Sequence, residues 1–335
     1  MSATLVEQFF ALTPERILDA VEFGGRRATG YALALNSLEN RVYEIELEDE
    51  SRLVAKFYRP GRWSKAALLD EHAFLAELHA AEVPVVPPLA RDDGATLGEL
   101  PVEGGAIYFA AFAKVRGRAP EELVDDQLRQ LGRLVARLHN VGDAHAATQR
   151  PHLDPASYGE ASLRVLLGDG PQSGFVPPEL RTRFATAGRA IVEICAQKWP
   201  TLESIRIHGD CHLGNLLWGG SGPFFLDFDD FLHGAPIQDL WLLAPGRDAE
   251  AQRQLLLLVD GYETMRRFDR KSLRFVEALR ALRILRYAAW IAQRWRDPAF
   301  QRAFPDWDDA RSWQRELSEL EQQRAHVEAA FARAG

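Results

Sequence analysis

The chain has 335 residues, 47% of them hydrophobic, enough apolar material for a sizeable core or two packed lobes, which excludes a disordered polymer. A net charge of −8 argues against nucleic acid as partner of the whole molecule, and no apolar run approaches the roughly 20 residues that a membrane helix needs. Two cysteines, Cys195 and Cys211, cannot build a disulfide framework, and "MSATLVEQFFALTPERILDAV" shows no basic-then-apolar leader, so a cytoplasmic protein is expected.

In chain order, residues 31–58 read as strands. "RVYEIEL" alternates Tyr43, Ile45 and Leu47 with polar neighbours, "EDES" is a turn, and "LVAKFY" is a second apolar strand, so a hairpin is expected. Ser64 suits a helix N-cap, and a helix is expected through "SKAALLDEHAFLAELHA" until the prolines of "VPVVPP" end it. "AIYFAAFAKV" follows as a strand, and "RGRAP" makes a break. "DQLRQLGRLVARLHN" then places Leu128, Leu131, Leu134, Val135 and Leu138 on one helical face. Helical patterns dominate from about 238 to 333, interrupted around "RDPAFQRAFPDWDD". The expected plan is α+β and bilobal: a small β-rich lobe over residues 1–112, a larger helical lobe over 113–335, and a cleft between them.

The chemistry concentrates in "IHGDCHLGNLLW", residues 207–218. "LLW" (216–218) and "FFL" (224–226) flank "GGSGP" and read as a hairpin in which 218 faces 224 and 216 faces 226. That register sets Asn215 opposite Asp227, close enough for an amide oxygen and a carboxylate to share one hard cation such as Mg²⁺. Asp210, five residues before Asn215, stands beside it. An Asp, an Asn and a second Asp after a hairpin follow the pattern of phosphoryl-transfer sites. Two further residues strengthen it. Lys56 sits inside an otherwise apolar strand, and Glu71 lies on the apolar stripe of Leu68, Leu75 and Leu78. An inward charge needs a counter-charge, so Lys56 and Glu71 are expected to pair as a strand lysine and helix glutamate that hold nucleotide phosphates.

Other readings are weaker. His208, His212 and Cys211 as zinc ligands would need a helix for the i, i+4 spacing, and Gly209 and Gly214 argue for a loop. Cys211 as a nucleophile would need a base held by a third group. His208 is read as structural, Asp239 of "PIQDLW" as a support for the loop, and Asp229 and Asp230 as solvated or backbone-bonding. Between Tyr262 and Asp297 stand ten Lys or Arg against four Asp or Glu, read as solvated helix faces in preference to an anionic docking surface.

"HGDCHLGN" with "FLDFDD" resembles the aminoglycoside-phosphotransferase-like kinases, a branch of the protein-kinase-like fold. "LNSLENRVYEI", "VAKFYRPGRWS", "DEHAF" and "PIQDLW" resemble more narrowly the bacterial stress response kinase A family, and these motifs span residues 35–241. The resemblance implies an ATP- and Mg²⁺-dependent serine/threonine protein kinase of the bacterial stress response that also phosphorylates itself. Asp210 would accept the hydroxyl proton, and Asn215 and Asp227 would ligate Mg²⁺. Ser37, in the glycine-free turn "LNSLEN", would lie over the ATP phosphates. Backbone near Phe109–Ala113 would hold adenine. The implied partners are ATP and a protein with a Ser/Thr acceptor, with no nucleic acid and no membrane, and a monomer is expected. A small-molecule kinase of the same superfamily, acting on an aminoglycoside, choline or homoserine type of acceptor, is the alternative; a pseudokinase and a metal-dependent hydrolase are further rivals.

Overall fold

The computed structural model describes residues 7–168, 174–220 and 222–332. A short helix α1 (Pro14–Asp19) precedes strands β1 (Ala28–Leu35), β2 (Arg41–Leu47) and β3 (Arg52–Phe57). Helix α2 (Lys65–Ala80) follows, then β4 (Gly98–Val102) and β5 (Gly105–Ala113). The five strands form one antiparallel sheet in the order β1-β2-β3-β5-β4. Because successive strand residues face opposite sides, Leu53, Ala55 and Phe57 pack toward α1 with Ile17, Val21, Ile45 and Ile107. Val54 and Lys56 therefore face the other way, into the cleft.

Helix α2 begins where expected, with the Ser64 hydroxyl accepting from the Ala67 amide at 3.1 Å. Its inner stripe buries Leu68, Leu75 and Leu78 and carries Glu71 among them.

The rest of the chain is mainly helical. It contains α3 (Asp125–Ala144), α4 (Ala161–Leu167), α5 (Pro178–Lys198), α6 (Ile237–Leu243), α7 (Ala249–Glu263), α8 (Val276–Arg294), α9 (Pro298–Ala303) and α10 (Ala310–Ala332). Among these run two small hairpin-like pairs: β6 (Ile205–Ile207) with β9 (Leu232–Gly234), and β7 (Leu216–Gly219) with β8 (Gly222–Phe225). The interruption expected around 296–309 holds the one-and-a-half-turn helix α9. A continuous core joins α3, α5, α7, α8 and α10 through residues such as Leu131, Ile191, Leu258, Leu282 and Leu320.

Two expectations are corrected. The β7/β8 strands continue into the glycines, pairing Gly219 with Gly222, so Leu216 faces Phe225 and Leu217 faces Phe224. The register is one residue away from the expected one, and Asn215 accepts from the amide of Leu226, not opposite Asp227. Phe109–Ala113, whose backbone is expected to hold adenine, is part of the sheet instead, each residue pairing with β3 between Leu53 and Phe57. The irregular link starts at Lys114, and Phe112, Ala113, Lys114 and Val115 line the cleft.

Helices α3 and α7 touch through glycine. A Cβ at Gly132 would lie 2.0 Å from the Leu258 carbonyl oxygen, and one at Gly261 would lie 2.1 Å from that of Arg129. Gly132→Ala should therefore force the helices apart and cost about 1 to 3 kcal/mol, read as a lower urea midpoint with an unchanged slope. A wild-type midpoint would contradict this close approach.

Candidate functional site

The loop 208–215 is shaped by a buried carboxylate. Asp239, at the start of α6, accepts from the amides of His208 and Gly209, both at 2.8 Å, and meets the ring of His139 at 3.0 Å. Gly209 has φ of +83°, and a Cβ there would stand 2.6 Å from the Asp230 carbonyl oxygen, so the bend requires glycine. The His208 ring donates from Nε2 to the Leu226 carbonyl at 2.8 Å, and its Nδ1 accepts from the Asp210 amide at 3.4 Å. His208 therefore holds backbone on two sides, as a structural histidine does. His212 accepts from the Gly214 amide at 3.0 Å through Nδ1. Among the described residues no group of three or more His, Cys, Asp or Glu is placed to hold a metal ion. Cys211 is buried, and burial pushes its thiol well above its ordinary range, away from a reactive thiolate.

Asp210 lies next to Asn215, which lines the cleft. The Asn215 side-chain amide donates to the Asp210 carbonyl at 3.0 Å, which fixes the amide orientation and leaves its oxygen for another partner. His212 Nε2 lies 3.4 Å from Asp210 Oδ2, and Arg283 of α8 lies 2.8 Å from Oδ1. Arg283 thus forms an ion pair with that carboxylate. Burial would raise the Asp210 pKa, but His212 and Arg283 outweigh it and hold the carboxyl well below the usual range.

Lys56 is the hub of the opposite wall. Its ammonium donates to Asp227 Oδ1 at 2.8 Å and lies 3.4 Å from Asp229 and 3.5 Å from Glu71. Burial works against the ammonium, and the three carboxylates outweigh it, so its pKa is raised well above the ordinary lysine value. Burial pushes Glu71 up to about 7, with Asp229 and Asp227 adding to it against the pull of Lys56 and Arg150. Asp227 reaches Lys56 from a left-handed backbone conformation, φ 58° and ψ 65°, just beyond the β7/β8 hairpin.

Asp229 is a correction: it is only 2% exposed and is neither solvated nor merely backbone-bonded. Arg62 and the Asn40 side-chain amide, the latter at 3.0 Å, bind Asp229 Oδ2. Arg62 also pairs with Asp230, whose side chain is half exposed. Arg150 donates to the carbonyls of Asp229 and Phe231 and stacks on Trp63 and Phe231. Asn40 and Arg62 lie inside the quoted stretches "LNSLENRVYEI" and "VAKFYRPGRWS" without having been singled out, and Arg150 lies in none of them.

Between these walls lies a cavity of about 360 Å³. Leu35, Val42, Val54, Phe112, Leu217 and Phe225 make one side apolar, and Lys56, Glu71, Asn215, Asp227 and Ser37 make the other polar. A flat heterocycle fits the first and an anion with a cation fits the second. Glu71 Oε2 and Asp229 Oδ1 are buried with no hydrogen-bond partner in the protein, a surplus of hard oxygen acceptors beside Lys56. The Asp227 carboxylate and the Asn215 amide oxygen are the donors that suit a small divalent cation completed by substrate oxygens.

The phosphotransferase enzyme family matches residues 32–276 of this chain. The chain belongs to that family. It is similar to the serine/threonine protein kinase RdoA of Salmonella typhimurium, 39% identical over 311 residues that cover 92% of both chains. It is 38% identical over 298 residues to the stress response kinase A of Escherichia coli, covering 89% of this chain and 88% of that one. An amicoumacin kinase solved with AMP-PNP, Ca²⁺ and its antibiotic shares the fold at a TM-score of 0.74 and 20% identity, over 92% and 93% of the two chains. The fold is thus the bilobal kinase-like one, and the protein is a kinase of the stress response kinase A group.

In this kinase part of the basic stretch of 262–297 is paired, while Arg267, Lys271 and Arg296 stay exposed. Arg266, Arg270 and Arg280 pair with carboxylates of the helical part, whereas Arg283 and Arg294 turn toward the cleft to meet Asp210 and Glu39. Asp239→Ala would leave the His208 and Gly209 amides and His139 Nε2 unpaired in the core, at an expected cost of about 3 to 5 kcal/mol. Chemical denaturation reads it directly, and a stability equal to wild type would contradict Asp239 as the support of the loop.

Proposed function

We propose that this kinase is an ATP- and Mg²⁺-dependent serine/threonine protein kinase of the bacterial stress response, cytoplasmic and monomeric, that also phosphorylates itself. The supporting observation is a cavity that runs from an apolar slot to Lys56, Asn215 and Asp227, with Asp210 bonded to Asn215 beside it. The name of the Salmonella typhimurium relative, a serine/threonine protein kinase, adds weight to the choice of a protein acceptor. An ATP-binding lobe ending at residue 112 and a catalytic lobe from 113 belong to the same reading.

Adenine would lie in the slot under Val42 and Val54, with its edge against Phe112–Val115 rather than against Phe109–Ala111, whose backbone is spent in the sheet. Lys56, steered by Glu71, would bind phosphate oxygens, and Ser37 would cover them from the turn above. Mg²⁺ held by Asn215 and Asp227 would neutralise charge on the phosphates. Asp210, kept ionised by His212 and Arg283, would accept a hydrogen bond from the acceptor hydroxyl, align its oxygen and take its proton on transfer. Lys56 would give up part of its hold on Asp227 as the phosphates arrive, since one ammonium cannot keep every partner at short range.

The test is incubation with radiolabelled ATP and Mg²⁺, alone and with a generic basic protein. Label is expected on serine or threonine of the added protein and of the kinase. Asp210→Asn should reduce transfer by about 10² or more while Mg·ATP binding stays near wild type. Label confined to small molecules, or an Asp210→Asn enzyme with wild-type transfer, would overturn the proposal.

A further inference from the structure

The turn Asn36–Asn40 contains no glycine, yet it borders the polar end of the cavity through Asn36, Ser37 and Asn40. Glycine is used in phosphate-binding loops because it permits backbone conformations that expose consecutive amides. Here none of the turn residues takes a positive φ. The backbone stays in ordinary conformations, and its orientation is set by side chains from outside the turn.

Arg59 grips the carbonyl oxygens of two successive residues, Leu38 at 3.1 Å and Glu39 at 3.0 Å. In a trans peptide the carbonyl and the following amide point in opposite directions, so the amides of Glu39 and Asn40 face away from Arg59. The Asn40 amide locates that far side, because it meets the Ser37 hydroxyl at 3.3 Å and Ser37 lines the cavity. Arg59 itself is anchored in the helical part by Asp297 at 2.8 Å and by the ring of Phe300.

Glu39 closes the arrangement from the other end of the residue. Its carboxylate accepts from Trp290 Nε1 at 2.7 Å and from Arg294 at 2.6 and 2.8 Å, both on α8, and lies 3.2 Å from Arg59 and 3.5 Å from Arg62. Burial would raise its pKa, but Arg62, Arg294 and Arg59 outweigh that and keep it ionised. A carboxylate from the sheet side is thus clasped by a helix of the other lobe.

We propose that Glu39, clasped by Trp290 and Arg294, and Arg59 are positioning residues that hold the amide face of the 36–40 turn toward the terminal phosphates of a nucleoside triphosphate. The assignment rests on the kinase reading above. Its consequence is selective: the clasp stabilises contacts to the terminal phosphates and leaves contacts to the nucleoside untouched. Opening the cleft to exchange nucleotide requires releasing Glu39 from α8.

The experiment compares binding of a non-hydrolysable ATP analogue with Mg²⁺ and of adenosine to wild type, Glu39→Gln, Arg59→Lys and Arg294→Met, together with KM for ATP, KM for the protein acceptor and thermal melting. Glu39→Gln should weaken the ATP analogue and raise KM for ATP about tenfold or more, with adenosine affinity and KM for the acceptor near wild type. Arg294→Met, which leaves the turn itself intact, should reproduce that pattern and keeps the test open if Glu39→Gln melts early. Equal loss for ATP and adenosine, or a lower melting point with unchanged ATP affinity, would reduce the clasp to a stability element and overturn the proposal. Wild-type protein that fails to bind the ATP analogue would overturn the kinase reading itself, a result distinct from wild-type binding with unaltered variants.

Discussion

A single ammonium, Lys56, ties together three pieces of chain that are remote in sequence: the central strand β3, helix α2 through Glu71, and the segment after the β7/β8 hairpin through Asp227 and Asp229. Burying such a group costs several kcal/mol before any partner returns it, and ion pairs of this kind seldom add net stability. The arrangement therefore makes more sense as a site than as a staple. It leaves Asp227 half exposed at the cavity and Glu71 Oε2 and Asp229 Oδ1 without hydrogen-bond partners.

The surrounding architecture keeps that cluster in place. Arg62 fixes Asp229 and Asp230 from the residues just before α2, and Asn40 reaches the same carboxylate from the turn between β1 and β2. On the other wall Asp239 shapes the loop that carries Asp210, with His139 and Tyr262 supporting it from α3 and α7. The two walls share one foundation, since Phe74, Leu75 and Leu78 of α2 pack into the same core as the helical part, and the cavity is where they face each other. Helix α8 spans both, meeting Asp210 through Arg283 and the turn through Trp290 and Arg294.

Much of this was legible because it follows local periodicity. Strand alternation puts Lys56 on the face opposite Leu53, Ala55 and Phe57, and helical spacing puts Glu71 on the stripe of Leu68 and Leu75, so their meeting could be anticipated from two short segments. The hairpin register was not legible, because glycines on both arms allow the turn to tighten and a shift of one residue leaves no clash to forbid it. Asp229 was misread for a different reason. In "FLDFDD" three aspartates look alike, and what separates them is burial by Arg62 and Arg150, which arrive from 167 and 79 residues away. The Glu39 clasp has the same origin: its partner Trp290 lies 251 residues downstream, and no spacing rule reaches that far.

The claim at the centre of this account is that Lys56, Asn215 and Asp227 form one site for a nucleotide triphosphate and its cation. Calorimetric titration of a non-hydrolysable ATP analogue into wild type and Asp227→Ala, each with and without Mg²⁺, tests it most directly. Affinity is expected to rise with Mg²⁺ in the wild type and to lose that Mg²⁺ dependence in Asp227→Ala, with metal-free affinity changed little. An Asp227→Ala protein whose affinity still rises with Mg²⁺ as in the wild type would contradict the site.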